Sequence, residues 1–588
     1  MRPVTEKPHA PTAPEAPAAQ LARTAARLGG YALASRLLGL LRDMCMAWLV
    51  GSGPTADALA AALRLPHALR RLLGEGSLSM SLTAALVRHC RPDTAAGRSY
   101  LAQVGRALAV RLGAALALLL LLAVAAAPWL ATGLAPGFAG PERELAVFLL
   151  RLCLPYGLAA CMAALGTALL HSLGLFRLPG LSPVLFNVVA LAFAGAAALG
   201  LCPPAPALAL GMSCAGLAQW ALLWWGARRA LRRPGPTGAS LGGAAAALSE
   251  TVVAAAARSA PAPAPVSAAG AAAWRCLAGT PAGLLGACAP QFCLLAAAAL
   301  ASGLGAGLVA GLYYAERLLE VPLGLVGACL GTASLPALSR LAAQGRQADF
   351  AAALRTALRL TLLLSLPAVA GLWAVGAPLV RALFCHGAFD AQAAQTAWLM
   401  LTGFLPALPA LACNRSLLAA CNALGQERRT ALSALAAVAS TLAVGAALVH
   451  SRGAGLLPLA FVPPLAAGVG LWLQTGFLLR ALAVALGRAG AANAGAVAVS
   501  ACLPGWAAVL RHGLAALVTG LAARGLVLLT EGWPPGSGLA VAVSGGAVAW
   551  VMGLLLLRDG DMLALAAHLR GRGVLDSVRE TRGTAPRR

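Results

Sequence analysis

The stretch LRLPHALRRLLGEGSLS, residues 63–79, places three arginines and one glutamate among leucines and other apolar residues. It belongs to a chain of 588 residues in which 60% are hydrophobic and only 11% are charged. Soluble domains carry about 25% charged residues, so this composition is typical of a membrane protein. Apolar runs of about 20 residues, long enough to cross a bilayer as helices, recur along the chain. Because such runs are too long for barrel strands, we predict an all-α polytopic membrane protein.

Hydropathy predicts about fourteen membrane-spanning helices. These predicted spans cover residues 28–50, 58–88, 105–132, 145–171, 183–201, 205–227, 276–303, 306–340, 353–378, 391–420, 430–450, 455–482, 496–524 and 536–557. A segment rich in Ala and Pro, residues 228–273, separates six spans from eight and is typical of a linker. The expected units are a disordered cytoplasmic tail (1–27), a first lobe of spans 1–6 (28–227), the cytoplasmic linker (228–273), a second lobe of spans 7–12 (274–483), spans 13–14 (484–560) and a basic cytoplasmic tail (561–588).

Two segments resemble each other across that linker. ALRLPHALRRLLGEGSLSMSLTAALVR (62–88) and AERLLEVPLGLVGACLGTASLPALSR (315–340) each start near an Arg-Leu pair, continue through Pro and Gly, and end at an arginine. Their corresponding places in two six-span halves indicate a duplicated bundle, which is a common plan among transporters.

The charge distribution predicts how the chain is oriented. The formal net charge is +25, and the arginines concentrate in alternate loops, whereas GSGPTA (51–56), CPPAPA (202–207) and SGLGAG (302–307) carry no charge. Cytoplasmic loops of membrane proteins are enriched in Lys and Arg, so this alternation favours cytoplasmic termini and an even number of spans. It also explains the basic charge without nucleic-acid binding, which we do not expect.

Charged residues are unusually dense in the first two predicted spans. They are Arg36, Arg42, Asp43, Asp57, Arg64, Arg70, Arg71 and Glu75. A charge at the centre of a membrane helix costs about 2.5–3.5 kcal/mol on insertion scales. Some of these side chains must therefore lie at the membrane surface, and the others must face one another or a water-filled cavity.

The spacing of these charges indicates a polar stripe on one helical face, because residues seven apart lie two turns apart. The seven-residue steps join Arg36 to Asp43 and lead from Asp57 through Arg64 to Arg71, with Glu75 four residues further. Pro66 interrupts the stripe, and a proline inside a helix removes a hydrogen bond and kinks it. The pattern favours a moving helix beside a cavity.

The stripe contains five arginines and three acids, and a guanidinium matches phosphate and carboxylate in a planar, bidentate geometry. This balance favours an anion site for phosphate, with Arg42 and Arg70 as its main candidates. The alternative is structural, in which arginines pair with acids between spans 1 and 2 or extend to the membrane surface. For Arg36, Arg64 and Arg71 both interpretations remain open.

The second half of the chain offers a matching cation in YYAERLLEVP (313–322). Arg317 could complete a cavity that binds a polyanion from two sides. The alternative is a pair closed on itself by Glu316 or Glu320.

Several segments resemble the signature segments of the MurJ (MviN) lipid II flippases, within the multidrug/oligosaccharidyl-lipid/polysaccharide exporter superfamily. They are SRLLGLLRD (35–43), TADALAAALRLPHALRRLLGEGSLS (55–79), LFRLPGLSPVLFN (175–187), YYAERLLEVPLGLVGACLGTASLPALSR (313–340) and LFCHGAFD (383–390). The resemblance covers roughly residues 28–450 in the same order. It implies two six-helix lobes around a V-shaped cavity, plus two C-terminal helices beside a hydrophobic groove.

The resemblance further implies the transport of lipid II from the inner to the outer leaflet by alternating access. It assigns the substrate diphosphate to Arg42, Arg70 and Arg317. Other cavity or gating positions that follow from the resemblance or from the charge pattern are Arg36, Asp43, Asp57, Arg64, Arg71, Glu75, Asn187, Glu316 and Glu320. The sequence departs from the family where Glu316 replaces the usual Asp and His67 the usual Asn. It also departs in the segment 423–432, which lacks the usual D-T-x-T-P ending.

We therefore expect a monomeric transporter in the bacterial cytoplasmic membrane that contacts lipid II and membrane lipids and is not an enzyme. No cofactor or metal is expected, because the sequence has no P-loop and its cysteines and histidines lack ligand spacing. Docking of cell-wall synthesis proteins stays open. The alternatives are an exporter of another lipid-linked oligosaccharide or of a drug, and a membrane scaffold or intramembrane enzyme.

Overall fold

The computed structural model describes residues 17–71, 77–90, 94–232, 285–451, 458–493 and 498–557. Within these ranges the chain is helical and no strand occurs. The first half contains helices α1 (Pro17–Val50), α2 (Pro54–Leu69), α3 (Ser77–Cys90), α4 (Ala95–Ala125), α5 (Ala127–Leu134), α6 (Gly140–Ser172), α7 (Arg177–Ala198) and α8 (Pro204–Arg232). The second half contains α9 (Ala289–Ser302), α10 (Leu308–Ala343), α11 (Gln347–Phe384), α12 (Ala391–Phe404), α13 (Leu408–Ala423), α14 (Glu427–His450), α15 (Val462–Asn493), α16 (Trp506–Leu529) and α17 (Pro535–Leu556).

Ten membrane-length helical segments in the described residues are apolar enough to span a bilayer. The all-α polytopic fold class is thus confirmed, whereas the count of fourteen spans stays a prediction. Helices α1 and α10, which carry the central charges, are long but are not among the ten. Apolar side chains such as Trp129 and Leu121 remain exposed on the outside of the bundle. Such an apolar outer surface is suited to lipid.

Some predicted boundaries differ from the structure. Helix α1 begins at Pro17, inside the segment expected to be a disordered tail, and residues 1–16 lie outside the described residues. The predicted third span consists of two helices, α4 and α5, joined at Ala126. The break follows from Pro128, which cannot donate a backbone hydrogen bond. The linker beyond Arg232 and the tail beyond Leu557 also lie outside the described residues.

Helix packing groups the first half into one lobe and the second into another. In the first lobe α6 packs on α2 and α8, and α7 packs on α1 and α8. In the second lobe α10 contacts α11, α12 and α13, while α14 packs on α15. Helices α16 and α17 pack on each other and on α11. The lobes meet mainly where α2 contacts α10, so these two charged helices lie at the centre of the molecule.

Candidate functional site

The charged residues of three helices converge where the lobes meet. We call this group the charged cluster; it comprises Arg42 and Asp43 of α1, Arg64 of α2, Arg70 and Arg71 just after α2, and Glu316, Arg317 and Glu320 of α10. The seven-residue spacing of Arg64 and Arg71 places both on the face of α2 that contacts α10. The structure thus brings charged residues of both halves of the chain together, and their role as a binding site stays a prediction.

Glu316 is shared by three arginines. Its Oε2 accepts a hydrogen bond from Arg64 Nη1 at 3.2 Å, and its Oε1 lies 3.7 Å from both Arg71 Nη1 and Arg317 Nη2. Glu320 pairs with Arg317, whose Nη1 lies 3.0 Å from its Oε2, and it also contacts Arg71. Acids of the second lobe thus neutralise arginines of the first, so these ion pairs hold the lobes together.

Arg42 is held by partners on its own lobe. Its Nε and Nη2 donate to Asp43 Oδ1 at 3.0 and 2.8 Å, and its Nη1 donates to Asn187 Oδ1 at 3.2 Å. Asn187 is oriented by its amide nitrogen, which donates to the carbonyl oxygens of Ser35 and Pro183. Asp43 also accepts a hydrogen bond from the hydroxyl of Tyr313 at 3.4 Å, which connects Arg42 to α10.

Aromatic rings support the three arginines assigned to the diphosphate. The guanidinium carbons of Arg42 and Arg70 lie 6.0 and 5.7 Å from the centre of the Phe186 ring. Arg317 lies 4.9 Å above Tyr313, and Arg70 donates to the hydroxyl of Tyr156 at 2.8 Å. Stacking on a ring stabilises a guanidinium and fixes its plane without consuming its outward-facing donors.

A small pocket with a cavity volume of about 20 Å³ lies within this junction. Its polar lining consists of Arg64, His67, Arg71, Gln291, Tyr313, Glu316 and Arg317. Of the three arginines assigned to the diphosphate, Arg317 lines the pocket. Arg42 is joined to the pocket through Asp43 and Tyr313, while Arg70 is joined to it through Tyr156 and His67.

Unpaired donors remain inside the charged cluster. Among the described residues, Arg64 Nε, Arg64 Nη2 and Arg317 Nε are buried and have no hydrogen-bond partner. A buried donor without a partner costs about 1–3 kcal/mol, and more when it is charged. An acceptor bound beside these donors would remove this cost.

Asp57 lies away from the pocket, at the junction of the lobes beside the start of α10. Its carboxylate is fully buried and accepts backbone hydrogen bonds from Gly307 at 2.5 Å and from Ala310 at 2.7 Å. It therefore caps the N-terminus of α10 from the other lobe, and a carboxylate is stabilised there by the helix dipole. The charge pattern alone grouped Asp57 with the Arg64–Arg71 stripe, because sequence spacing cannot show where a helix of the other lobe begins.

Backbone contacts close the molecule at the same end as Asp57. The Ala388 N–H donates to the Trp48 carbonyl oxygen at 3.0 Å, and a Cβ on Gly51 would come 2.3 Å from Ala388 O. Gly51 has a φ of 71°, which favours glycine, and Gly387 packs directly against Trp48. The two lobes thus touch backbone to backbone where the uncharged loop between α1 and α2 meets the loop between α11 and α12.

The remaining predicted positions lie elsewhere. Arg36 is exposed, and its Nη2 donates to Gly324 O of α10 at 3.0 Å, which links the lobes outside the pocket. Glu75 lies outside the described residues. Sequence reasoning missed Tyr156 and Phe186 and gave His67 no role, although the YYAER segment already placed Tyr313 near Arg317. Tyr156 and Phe186 gave no signal because isolated aromatic residues in apolar helices are usually core residues.

Comparison of the fold with solved structures defines the class of protein. The chain resembles a structure described as "Lipid II flippase MurJ, inward closed conformation", with a TM-score of 0.64 and 16% identity, over 90% of this chain and 99% of that one. It also resembles an inward-facing multidrug resistance MATE family transporter of the MOP superfamily, with a TM-score of 0.58 and 14% identity, over 79% of this chain and 96% of that one. The chain therefore shares the all-helical, two-lobed fold of these structures.

Comparison of the sequence defines the family. The family model described as "Lipid II flippase MurJ" matches residues 46–539, so the chain belongs to that family. A probable lipid II flippase MurJ of Bdellovibrio bacteriovorus is 27% identical over 68% of this chain and 71% of its own length. A lipid II flippase MurJ of Burkholderia cenocepacia is 28% identical over 63% of this chain and 67% of its own length. The chain is therefore a polytopic membrane protein of a bacterial flippase family.

Proposed function

We propose that this chain moves lipid II from the inner to the outer leaflet of the bacterial cytoplasmic membrane, and that Arg42, Arg70 and Arg317 bind its diphosphate. The observation that carries this proposal is the composition of the charged cluster. Five guanidinium groups and three carboxylates give it a formal net charge of +2, with +3 from the first lobe and −1 from the second. A diphosphate diester carries two negative charges, so it would neutralise the cluster.

The unpaired donors support the same ligand. Arg64 and Arg317 retain buried N–H groups without partners, and phosphate oxygens are strong acceptors for such groups. At an effective dielectric constant of about 20, unit charges 4 Å apart interact by about 4 kcal/mol. A diphosphate could therefore compete with Glu316 and Glu320 for their arginines, which would loosen the ion pairs between the lobes.

The size of the pocket supports a change of conformation during transport. Drug-sized ligands occupy about 300–1,000 Å³, and a disaccharide-pentapeptide head group is larger than most of them. The pocket has a cavity volume of only about 20 Å³, so it must widen before the head group enters. We infer that the lobes separate at the ion pairs between α2 and α10 to admit lipid II.

Alternating access requires that the opposite end opens afterwards. The Asp57 cap and the Trp48–Ala388 hydrogen bond close the end at which the uncharged loops lie. By the distribution of arginines, this end faces the outside of the cell and both termini face the cytoplasm. Outward opening would break these contacts, and lipid II would then leave toward the outer leaflet.

Complementation tests this proposal. In cells depleted of their own lipid II flippase, the unmodified chain should restore growth, while Arg42→Glu, Arg70→Glu and Arg317→Glu should each fail at normal membrane levels. Arg346→Glu is the matched control, because Arg346 is exposed and its ion pair with Asp349 lies on the surface, away from the charged cluster. Rescue by all three charge reversals would overturn the site assignment. Failure of the unmodified chain, both in cells and in proteoliposomes that contain lipid II, would overturn the function.

A further inference from the structure

His67 is a titratable residue at the centre of the junction that the transport scheme above does not use. It follows Pro66 in α2, and its ring lies between two tyrosines of opposite lobes. The ring centres are 5.8 Å from Tyr156, in an edge-on contact, and 6.4 Å from Tyr313, in a stacked contact. His67 is therefore fixed in place by both lobes and lines the pocket.

His67 shares its neighbours with the residues assigned to the diphosphate. Arg317 lies over the same Tyr313 ring on which His67 stacks, and Arg70 donates to the Tyr156 hydroxyl. A phosphate group bound by Arg317 in the pocket would therefore approach the imidazole. Within the described part of the chain, the His67 side chain makes no hydrogen bond or ion pair, so its ring nitrogens have no competing partner there.

The charges around His67 depend on whether the pocket is occupied. The charged and titratable groups of the packed helices are Arg42 and Asp43 from α1, Arg64, Arg70 and Arg71 from α2 and the turn that follows it, Tyr156 from α6, and Tyr313, Glu316, Arg317 and Glu320 from α10. With the pocket empty, an imidazolium would add a sixth cation to a group that already carries a formal +2. With a diphosphate bound, the same imidazolium would face a neutralised group and could donate to a phosphate oxygen.

We propose that His67 is a further diphosphate-binding residue, neutral in the empty cavity and protonated when the diphosphate is bound. This inference rests on the proposed function. It predicts that lipid II binding takes up a proton, since the bound form holds one more proton than the free form. It also follows that release of the lipid returns that proton, so His67 links substrate occupancy to protonation within the bilayer.

Binding measurements across a range of pH test the inference. Lipid II affinity of the wild-type protein in nanodiscs should weaken by up to about tenfold per pH unit as the pH rises through the range in which His67 titrates. Calorimetry in two buffers of different ionisation enthalpy should report uptake of up to one proton per lipid II. His67→Asn keeps a hydrogen-bond donor but cannot titrate, so it should bind lipid II with a flat pH profile and without proton uptake.

Two further variants make the outcome unambiguous. His67→Gln should behave as His67→Asn does, which guards against a folding defect in one of them. His171→Asn should retain the wild-type pH profile, because His171 stacks on Phe176 rather than on a residue of the charged cluster. A pH-independent wild-type affinity, or an unchanged pH profile in both His67 variants, overturns the inference and leaves the proposed function intact. Absence of lipid II binding at every pH would instead count against the proposed function.

Discussion

Two buried polar clusters in this molecule differ in their net charge and in whether their hydrogen-bonding groups all have partners. The charged cluster joins the lobes, and the second cluster, which we call the amide cluster, lies within the second lobe and consists of Asn414, Gln474 and Thr475. Asn414 Nδ2 donates to Gln474 Oε1 at 3.1 Å, and Thr475 donates to Asn414 Oδ1 at 2.8 Å. Gln474 Nε2 donates to Gly286 O at 3.1 Å, so both side-chain amides are satisfied at oxygen and nitrogen.

The difference teaches how to separate a structural cluster from a binding site. The amide cluster is neutral and each of its side-chain amides has a partner at both oxygen and nitrogen, so it needs nothing from outside to be stable. The charged cluster has a net charge and retains buried donors on Arg64 and Arg317 without partners. Buried unpaired donors and net positive charge destabilise the protein when no anion is bound. The same two features are what an anion-binding site requires.

The largest expected effect comes from removing the shared carboxylate of the charged cluster. Glu316→Gln leaves Arg64, Arg71 and Arg317 with one counter-ion fewer in a site where the Glu316 side chain is only 7% exposed. Loss of one partner of a buried ion pair costs about 3–5 kcal/mol. We expect a free energy of unfolding lower by about this amount, measured by denaturant unfolding in detergent.

Added pyrophosphate sharpens this first test. It should restore part of the stability of Glu316→Gln, because the anion supplies the negative charge that the substitution removed. The matched control is Glu320→Gln, whose side chain is 28% exposed and whose loss should cost less. Equal stability of wild type and Glu316→Gln would contradict the view that the charged cluster is held together by this residue.

The amide cluster should give the next largest effect. Gln474→Leu leaves Gly286 O without its donor and Asn414 Nδ2 with one acceptor fewer, both buried. Unsatisfied buried groups cost about 1–3 kcal/mol each, so we expect a loss of about 2 kcal/mol in the same unfolding measurement. Pyrophosphate should not restore it, and lipid II affinity should stay at the wild-type value. A weakened lipid II affinity would show that the two clusters are coupled.

The sequence predicted the charged cluster better than the amide cluster for a physical reason. Charges in an apolar helix are so costly that each one demands an explanation, and this cost drew attention to the charged residues of the first two spans, while the resemblance to the family assigned Arg42, Arg70 and Arg317 to the diphosphate. Asn414 and Gln474 are uncharged, and many polar residues in membrane helices form hydrogen bonds only with nearby residues of the same helix. Nothing in the sequence therefore distinguishes these two residues from such ordinary polar residues.

The fold class also followed from composition, whereas contacts between lobes did not. Long apolar runs dictate helices in lipid, which is why most predicted spans coincide with helices. The role of Asp57 as a cap of α10 depends on packing between residues 250 positions apart, which no local spacing reports. For the same reason, the partners of His67 are invisible in the sequence, because only the fold brings Tyr156 and Tyr313 beside it.

A smaller effect is expected at the end of the molecule where the Asp57 carboxylate of the first lobe caps the N-terminus of α10 in the second lobe. Asp57→Asn keeps one acceptor oxygen but loses the second and its charge, so we expect a cost of about 1 kcal/mol, or a shift of about fivefold toward the open form. Hydrogen exchange should become faster by that factor at the amides of Gly307 and Ala310. Asp390→Asn is the matched control, because Asp390 caps α12 within its own lobe. Unchanged exchange at Gly307 would contradict a role of Asp57 in closing this end.

The smallest effect should come from an exposed ion pair. Its distance is close to that of a buried pair, so comparing the two shows how much burial contributes to the strength of an ion pair. Arg346 Nε lies 2.7 Å from Asp349 Oδ2, about as close as Arg42 Nη2 lies to Asp43 at 2.8 Å. The exposed side chains, however, are 59% and 52% accessible, whereas those of Arg42 and Asp43 are 11% and 5% accessible. Water and salt screen exposed pairs, so Arg346→Ala should change the free energy of unfolding by less than about 0.5 kcal/mol. A loss comparable to that of Glu316→Gln would mean that distance alone sets the strength of these pairs, and the contrast between buried and exposed charges would not hold.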